Sequence, residues 1–168
     1  MARAFSLIEM MVVVLILGIL AAAVSLSLAA PRRKARWEDL RGRIGEVDAA
    51  ARQYAVRHGK SVQLVFDLSG QQLLATTGSE IKDVASGCPM PDGFRLAEVR
   101  LADARIDRNS CAIFCSDRGY SPTYGLVLEG DVGRKWLIVA GLSGQVSELK
   151  DEQTADKVFS ALARHDAH

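Results

Sequence analysis

Between Met10 and Ala30 the chain runs 21 residues without a charge. As a helix this matches a bilayer core, which needs roughly 20 apolar residues. The first part of the run, Met10 to Leu20, is apolar on every side and has no polar face to turn to water. A buried core helix would be shorter and would not stand at the very start of a chain. A cleaved secretory signal is the competing expectation, with Arg3 as its charge and Ser27-Leu28-Ala29 as a small-x-small site. Glu9 counts against it. A carboxylate at the edge of an apolar run is costly unless something pairs with it. Neither a signal peptide nor an ordinary anchor needs one.

The residues around Glu9 carry a resemblance. Ala4-Phe5-Ser6-Leu7-Ile8-Glu9-Met10-Met11-Val12-Val13-Val14-Leu15 resembles the N-terminal signature of type IV pilins and type II secretion pseudopilins. The resemblance implies cleavage by a prepilin peptidase between Ala4 and Phe5, with Met1 to Ala4 as the leader. It implies N-methylation of the new Phe5 amine. It also implies that Glu9 meets the α-amine of a neighbouring subunit during assembly. Two opposite charges in an apolar place relieve each other's desolvation cost, which gives that pairing a physical sense. The chain departs from the family at Ala4, where Gly is usual. Both residues are small, so slower processing is expected rather than none.

Charge is nearly balanced, with 21 Lys and Arg against 20 Asp and Glu. That gives no general pull toward nucleic acid. The layout is uneven. Residues 31–60 hold nine basic and four acidic residues, and residues 61–168 hold eleven and fifteen. The cluster Arg32, Arg33, Lys34 and Arg36 is expected at lipid headgroups. The charge rule alone would keep the body in the cytoplasm; the resemblance puts the body outside, in the periplasm.

Pro31 predicts a kink in a helix that continues beyond it. Trp37, Leu40, Ile44, Val47, Ala51 and Tyr54 recur at spacings of three and four, one face of an amphipathic helix. Gly59 is the stop signal, with Arg57 and His58 favourable at the negative end of the helix dipole. From Ser61 the period becomes two. Val62, Leu64 and Phe66 predict a strand, and Gln71–Ala75 returns after the Ser69-Gly70 turn. Thr76–Gly93 reads mostly as loop. Further strands are expected within Phe94–Asp107, at Cys111–Cys115, Tyr124–Leu128 and Lys135–Ala140, and after the Leu142-Ser143-Gly144-Gln145-Val146 turn. Asp151–Arg164 reads as a helix with Ala155, Val158, Phe159 and Leu162 on one side, packed on a sheet edge, with a partner-binding extension or a partly disordered tail as the alternatives. The fold class is α+β: a long N-terminal helix on an antiparallel sheet domain of about six or seven strands.

The helix ending Ala50-Ala51-Arg52-Gln53-Tyr54-Ala55-Val56-Arg57-His58-Gly59, then Ile113-Phe114, Asp117-Arg118-Gly119-Tyr120-Ser121 and Ser143-Gly144-Gln145-Val146, resemble the H-type minor pseudopilins and related minor pilins. The organisation this implies is a leader at 1–4, a membrane or filament-core helix at 5–30, its amphipathic continuation at 31–59, a periplasmic β domain at 60–150, and a helical tail at 151–168. The implied function is a minor pseudopilin of a type II secretion pseudopilus, with a minor pilin of a type IV or DNA-uptake pilus as the alternative. Its implied partners are other pseudopilins, the prepilin peptidase and the inner membrane, which it crosses once.

No chemistry beyond this is legible. His58, His165 and His168 lack the carboxylate and cysteine spacing of a zinc site, no phosphate loop follows a strand, and no serine sits in a nucleophile motif. No cofactor, metal, nucleic acid or small-molecule substrate is expected. Cys111 and Cys115 are four apart, about 13 Å in an extended strand and too far to bond. An oxidising compartment permits one disulfide, Cys88 with Cys111 or Cys115. Three buried thiols are the alternative.

Overall fold

The computed structural model describes residues 7–77, 80–83, 87–130 and 133–165, with the backbone alone at 23–30, 80–83 and 165. The chain divides into two units, one ending at Arg36 and one running from Trp37. Helix α1 (Leu7–His58), 52 residues long, contributes to both. Pro31 lies inside it. A proline costs one backbone hydrogen bond, yet the helix continues on either side of it.

In the first unit the apolar side chains of α1 are exposed, from Leu7 at 79% through Leu20 at 56%. Among the described residues no helix is long and apolar enough to cross a membrane. The uncharged run expected to span runs on into 23–30, whose side chains are not described. The part of it with described side chains, Met10–Ala22, is shorter than the roughly 20 residues a span requires.

In the second unit α1 turns amphipathic. Trp37, Leu40, Ile44, Val47, Ala51 and Ala55 are buried in the core. The stripe ends one residue beyond the expected Tyr54, which is partly buried and stacks on His58 at 4.0 Å between ring centroids. Gly59 takes φ 60°, and the Lys60 amide closes the helix by donating to the Ala55 carbonyl at 3.2 Å.

Ten strands follow among the described residues: β1 (Val62–Asp67), β2 (Gln72–Thr77), β3 (Glu80–Asp83), β4 (Cys88–Pro89), β5 (Phe94–Arg100), β6 (Arg105–Ile106), β7 (Ser110–Cys115), β8 (Tyr124–Gly130), β9 (Gly133–Val139) and β10 (Val146–Leu149). They form two antiparallel sheets. One runs β3-β2-β1-β7, with β4 sharing the β3 edge of β2; the other runs β10-β9-β8-β5-β6. The expected strands are all present. The additional ones, β3, β4 and β6, are short, and β3 and β4 lie in the segment read as loop. Segments of two to four residues are too short to print an alternating pattern, so pairing with a neighbour alone makes them strands.

The inward faces of both sheets and the apolar stripe of α1 share one core. Phe66 of β1 meets Tyr124 of β8 edge-on at 5.2 Å, joining the two sheets. In β8, Tyr124 through Leu128 are all buried. Tyr124, Leu126 and Leu128 face the shared core, while Gly125 and Val127 face the other way. The cover on that side is the last helix, α2 (Glu152–His165). Ala155 and Phe159 of α2 are buried, and a Cβ on Gly125 would fall 2.6 Å from the Phe159 ring. Phe159 of the tail helix thus covers the outer face of the central strand β8, while Asp156 reaches Arg105 of the edge strand β6.

Candidate functional site

Of the motif residues, Ala4 and Phe5 lie outside the described residues. Glu9 lies in the first turn of α1 and is exposed among exposed apolar side chains. Among the described residues no hydrogen bond or ion pair engages it. Helical spacing places Met10, Val12, Val13 and Ile16 around it, so among the described residues no basic side chain of its own helix stands near it.

A second carboxylate of α1 has the opposite surroundings. Asp48 is fully buried. Arg52, one turn on, donates from Nε to Asp48 Oδ2 at 2.5 Å, and the Tyr124 hydroxyl donates to Asp48 Oδ1 at 2.9 Å. The other nitrogens of Arg52 reach the backbone carbonyls of Gly119 at 2.8 Å and Gly141 at 2.6 Å, and the Ser121 hydroxyl at 2.8 Å. One guanidinium thus ties α1 to the β7–β8 loop and the β9–β10 turn. Burial opposes the charge on Arg52, but the hydrogen bond and charge of Asp48 outweigh it and hold the pKa above the ordinary guanidinium value. Burial first, then the Asp48 charge, pushes the Tyr124 phenol well above its usual range. Gly144 takes φ 69°, and a Cβ there would fall 2.8 Å from the Asp48 carboxylate. Only glycine lets this turn approach the pair so closely.

The outer face carries a related device. Arg100 of β5 is 2% exposed and pairs with Glu98 beside it on the same strand. It also donates to Asp156 at 2.5 Å and Glu152 at 3.2 Å, both on α2. Arg105 joins at Asp156, also at 2.5 Å. Burial works against the Arg100 charge; hydrogen bonds to Glu98 and Asp156 raise its pKa above the ordinary value nonetheless. Asp151 caps α2 by accepting from the Thr154 amide at 2.8 Å.

Of the two alternatives left open for the cysteines, the disulfide of Cys88 is not formed. Cys88, Cys111 and Cys115 are buried free thiols. The register explains this. Cys88 pairs with Leu73, Leu73 with Phe66, and Phe66 with Cys111, so two strands separate the row's ends. Three strand spacings are about 14 Å, twice the reach of a disulfide. Burial raises the pKa of all three thiols, which keeps them protonated and unreactive. Among the described residues no cluster of His, Cys, Asp or Glu could hold a metal ion.

The Asp48–Arg52–Tyr124 group was not singled out from sequence. An Asp and an Arg four apart, flanking the stripe of Ile44, Val47 and Ala51, was the available signal. An exposed i,i+4 pair looks the same in a sequence.

The prokaryotic N-terminal methylation motif matches residues 1–25. Comparison with curated proteins finds no match. Among solved structures, the fold is similar to the minor pseudopilin EpsH from the type 2 secretion system of Vibrio cholerae. That match has TM-score 0.53 and 10% identity, covering 70% of this chain and 97% of that one. The type IV minor pilin FimU of Pseudomonas aeruginosa matches at TM-score 0.48 and 10% identity, covering 70% of this chain and 91% of the other. The chain thus joins a prokaryotic N-terminal methylation motif to an α+β, type IV pilin-like fold.

Proposed function

We propose that this chain is a non-enzymatic filament subunit, a minor pseudopilin of a type II secretion pseudopilus. Prepilin peptidase cuts between Ala4 and Phe5, and the Phe5 amine is methylated. The apolar start of α1 anchors the subunit in the inner membrane, with the β domain in the periplasm. On assembly the helix leaves lipid for a bundle of like helices contributed by other pseudopilins. The observation that carries this reading is Glu9: an exposed carboxylate among exposed apolar side chains, with no partner among the described residues. A neighbouring subunit's Phe5 amine supplies the missing positive charge. Pairing there favours an assembled helix over a lone one, because it removes a desolvation cost the lone helix bears.

The β domain supplies a rigid body on that helix. The Arg52 tie holds two of its loops and α2 covers β8, as lateral contacts between subunits require. The test has two parts. First, the mature N-terminus is sequenced and weighed in cells with and without the peptidase. A methylated Phe5 start that depends on the peptidase is expected; a start near Ala30, or an intact Met1 in both cells, overturns the reading. Second, the gene is deleted. Loss of export of folded cargo supports the secretion assignment. Loss of piliation or DNA uptake with intact export makes the subunit a minor pilin instead.

A further inference from the structure

A shallow groove of about 400 Å³ opens on the second unit, between the end of α1, the β7–β8 loop and the β9–β10 turn. Two independent features single it out. Among the described residues of this unit four large apolar side chains are exposed, and three of them line the groove: Val56 at 59%, Tyr120 at 51% and Leu142 at 79%. Arginine pairing points to the same place. Eight of the eleven arginines after Trp37 meet a carboxylate within 4.0 Å. Arg164 donates instead to the Ser160 carbonyl. The remaining two, Arg57 and Arg118, have no acceptor among the described residues, and both line the groove.

An apolar floor between two exposed guanidiniums that no carboxylate of the described chain engages complements a segment that sets carboxylates beside an apolar side chain. We propose that this groove docks such an acidic-apolar segment of a partner protein. The apolar side chain sits against Val56, Tyr120 and Leu142, and the flanking carboxylates pair with Arg57 and Arg118. The groove is formed in advance. Arg52 at its floor holds the Gly119 and Gly141 carbonyls, so the walls need no ordering on binding. Gly119, at φ 80°, brings its loop against α1, where a Cβ would fall 3.0 Å from Val56. The site lies wholly in the second unit and goes beyond the assembly role of Glu9, on which it does not depend.

The test uses the full chain in detergent and two fluorescein-labelled probe peptides, Gly-Glu-Leu-Phe-Asp-Gly and Gly-Lys-Leu-Phe-Lys-Gly, read by fluorescence anisotropy. The acidic peptide is expected to bind, and more weakly at high salt. Arg57→Glu combined with Arg118→Glu should weaken it about tenfold, or roughly 1.4 kcal/mol, and turn the preference to the basic peptide. Leu142→Asp should weaken the acidic peptide as well. These side chains are exposed, so thermal unfolding serves as the folding control. Failure of the acidic peptide to bind, equal binding of both peptides, or binding indifferent to the double reversal each overturns the proposal. Self-association that the double reversal abolishes puts a second copy of this chain in the groove, and overturns the assigned occupant.

Discussion

Glu9 and Asp48 are carboxylates on one helix, in opposite settings. Asp48 is buried and both its oxygens are met, by Arg52 and Tyr124. Glu9 is exposed among apolar side chains, with no side-chain partner among the described residues. The difference teaches where each charge finds compensation. A buried charge must be satisfied within the fold, because removing its partner leaves the other ion stranded. An acid on an apolar helix that the chain itself leaves uncovered can be satisfied by another molecule. The second unit is thus complete in its polar bonding at Asp48, while the acid of the first has no partner among the described residues.

The sharpest way to break this contrast is Asp48→Ala. It strands the Arg52 charge and the Tyr124 hydroxyl, and should cost about 3–5 kcal/mol. Urea unfolding of the full chain in detergent, followed by tryptophan fluorescence, measures it. A loss under about 1 kcal/mol would mean that the carbonyls of Gly119 and Gly141 satisfy Arg52 unaided.

Gly125→Ala tests the outer cover next. Its Cβ would press into the Phe159 ring, and such overpacking costs about 1–3 kcal/mol. Hydrogen exchange should show α2 losing protection before the rest of the β domain; unchanged protection would mean that the Arg100 pairs, not Phe159, hold α2.

Tyr124→Phe removes one donor to Asp48 and should cost about 1–1.5 kcal/mol near neutral pH. It also changes the alkaline limb. The phenol's pKa is raised in the folded state, so the folded chain holds the proton longer than the unfolded one. This contribution is complete below the unfolded value of about 10 and is lost as pH rises toward the folded one. The wild-type chain should therefore lose stability steeply above about pH 10, and the variant less steeply. The buried thiols, raised in the same direction, leave a shallower decline in both. Parallel curves would remove Tyr124 from the alkaline transition.

The smallest effect on stability belongs to Glu9→Ala, under about 0.5 kcal/mol for unfolding of the second unit, as for other exposed positions. On our reading the same change impairs assembly while leaving membrane insertion intact. Normal incorporation into filaments, measured by shearing and immunoblotting, would remove Glu9 from the mechanism.

Much of the fold was legible because period carries it. The spacing from Trp37 to Ala51 and the alternation of Val62, Leu64 and Phe66 are local patterns, and burial follows them. Asp48, Arg52 and Arg100 were hidden, since whether a charge is buried depends on what arrives from elsewhere. Gly141 reaches Arg52 from 89 residues away, and Asp156 reaches Arg100 from 56. The cysteines were left open for the same reason. Spacing ruled out one pair, but only strand order placed Leu73 and Phe66 between Cys88 and Cys111.

By itself the sequence determined the uncharged N-terminal run with its single acid, the amphipathic continuation of the helix, and the main strands of an α+β domain. Each is written in neighbouring residues, where composition and period act directly. The tertiary structure decided which charges are buried and paired, which thiols stay apart, and that Val56, Tyr120 and Leu142 gather beside two unpaired arginines. Those outcomes depend on segments far apart in the chain, and only the packing of two sheets around one helix brings them together.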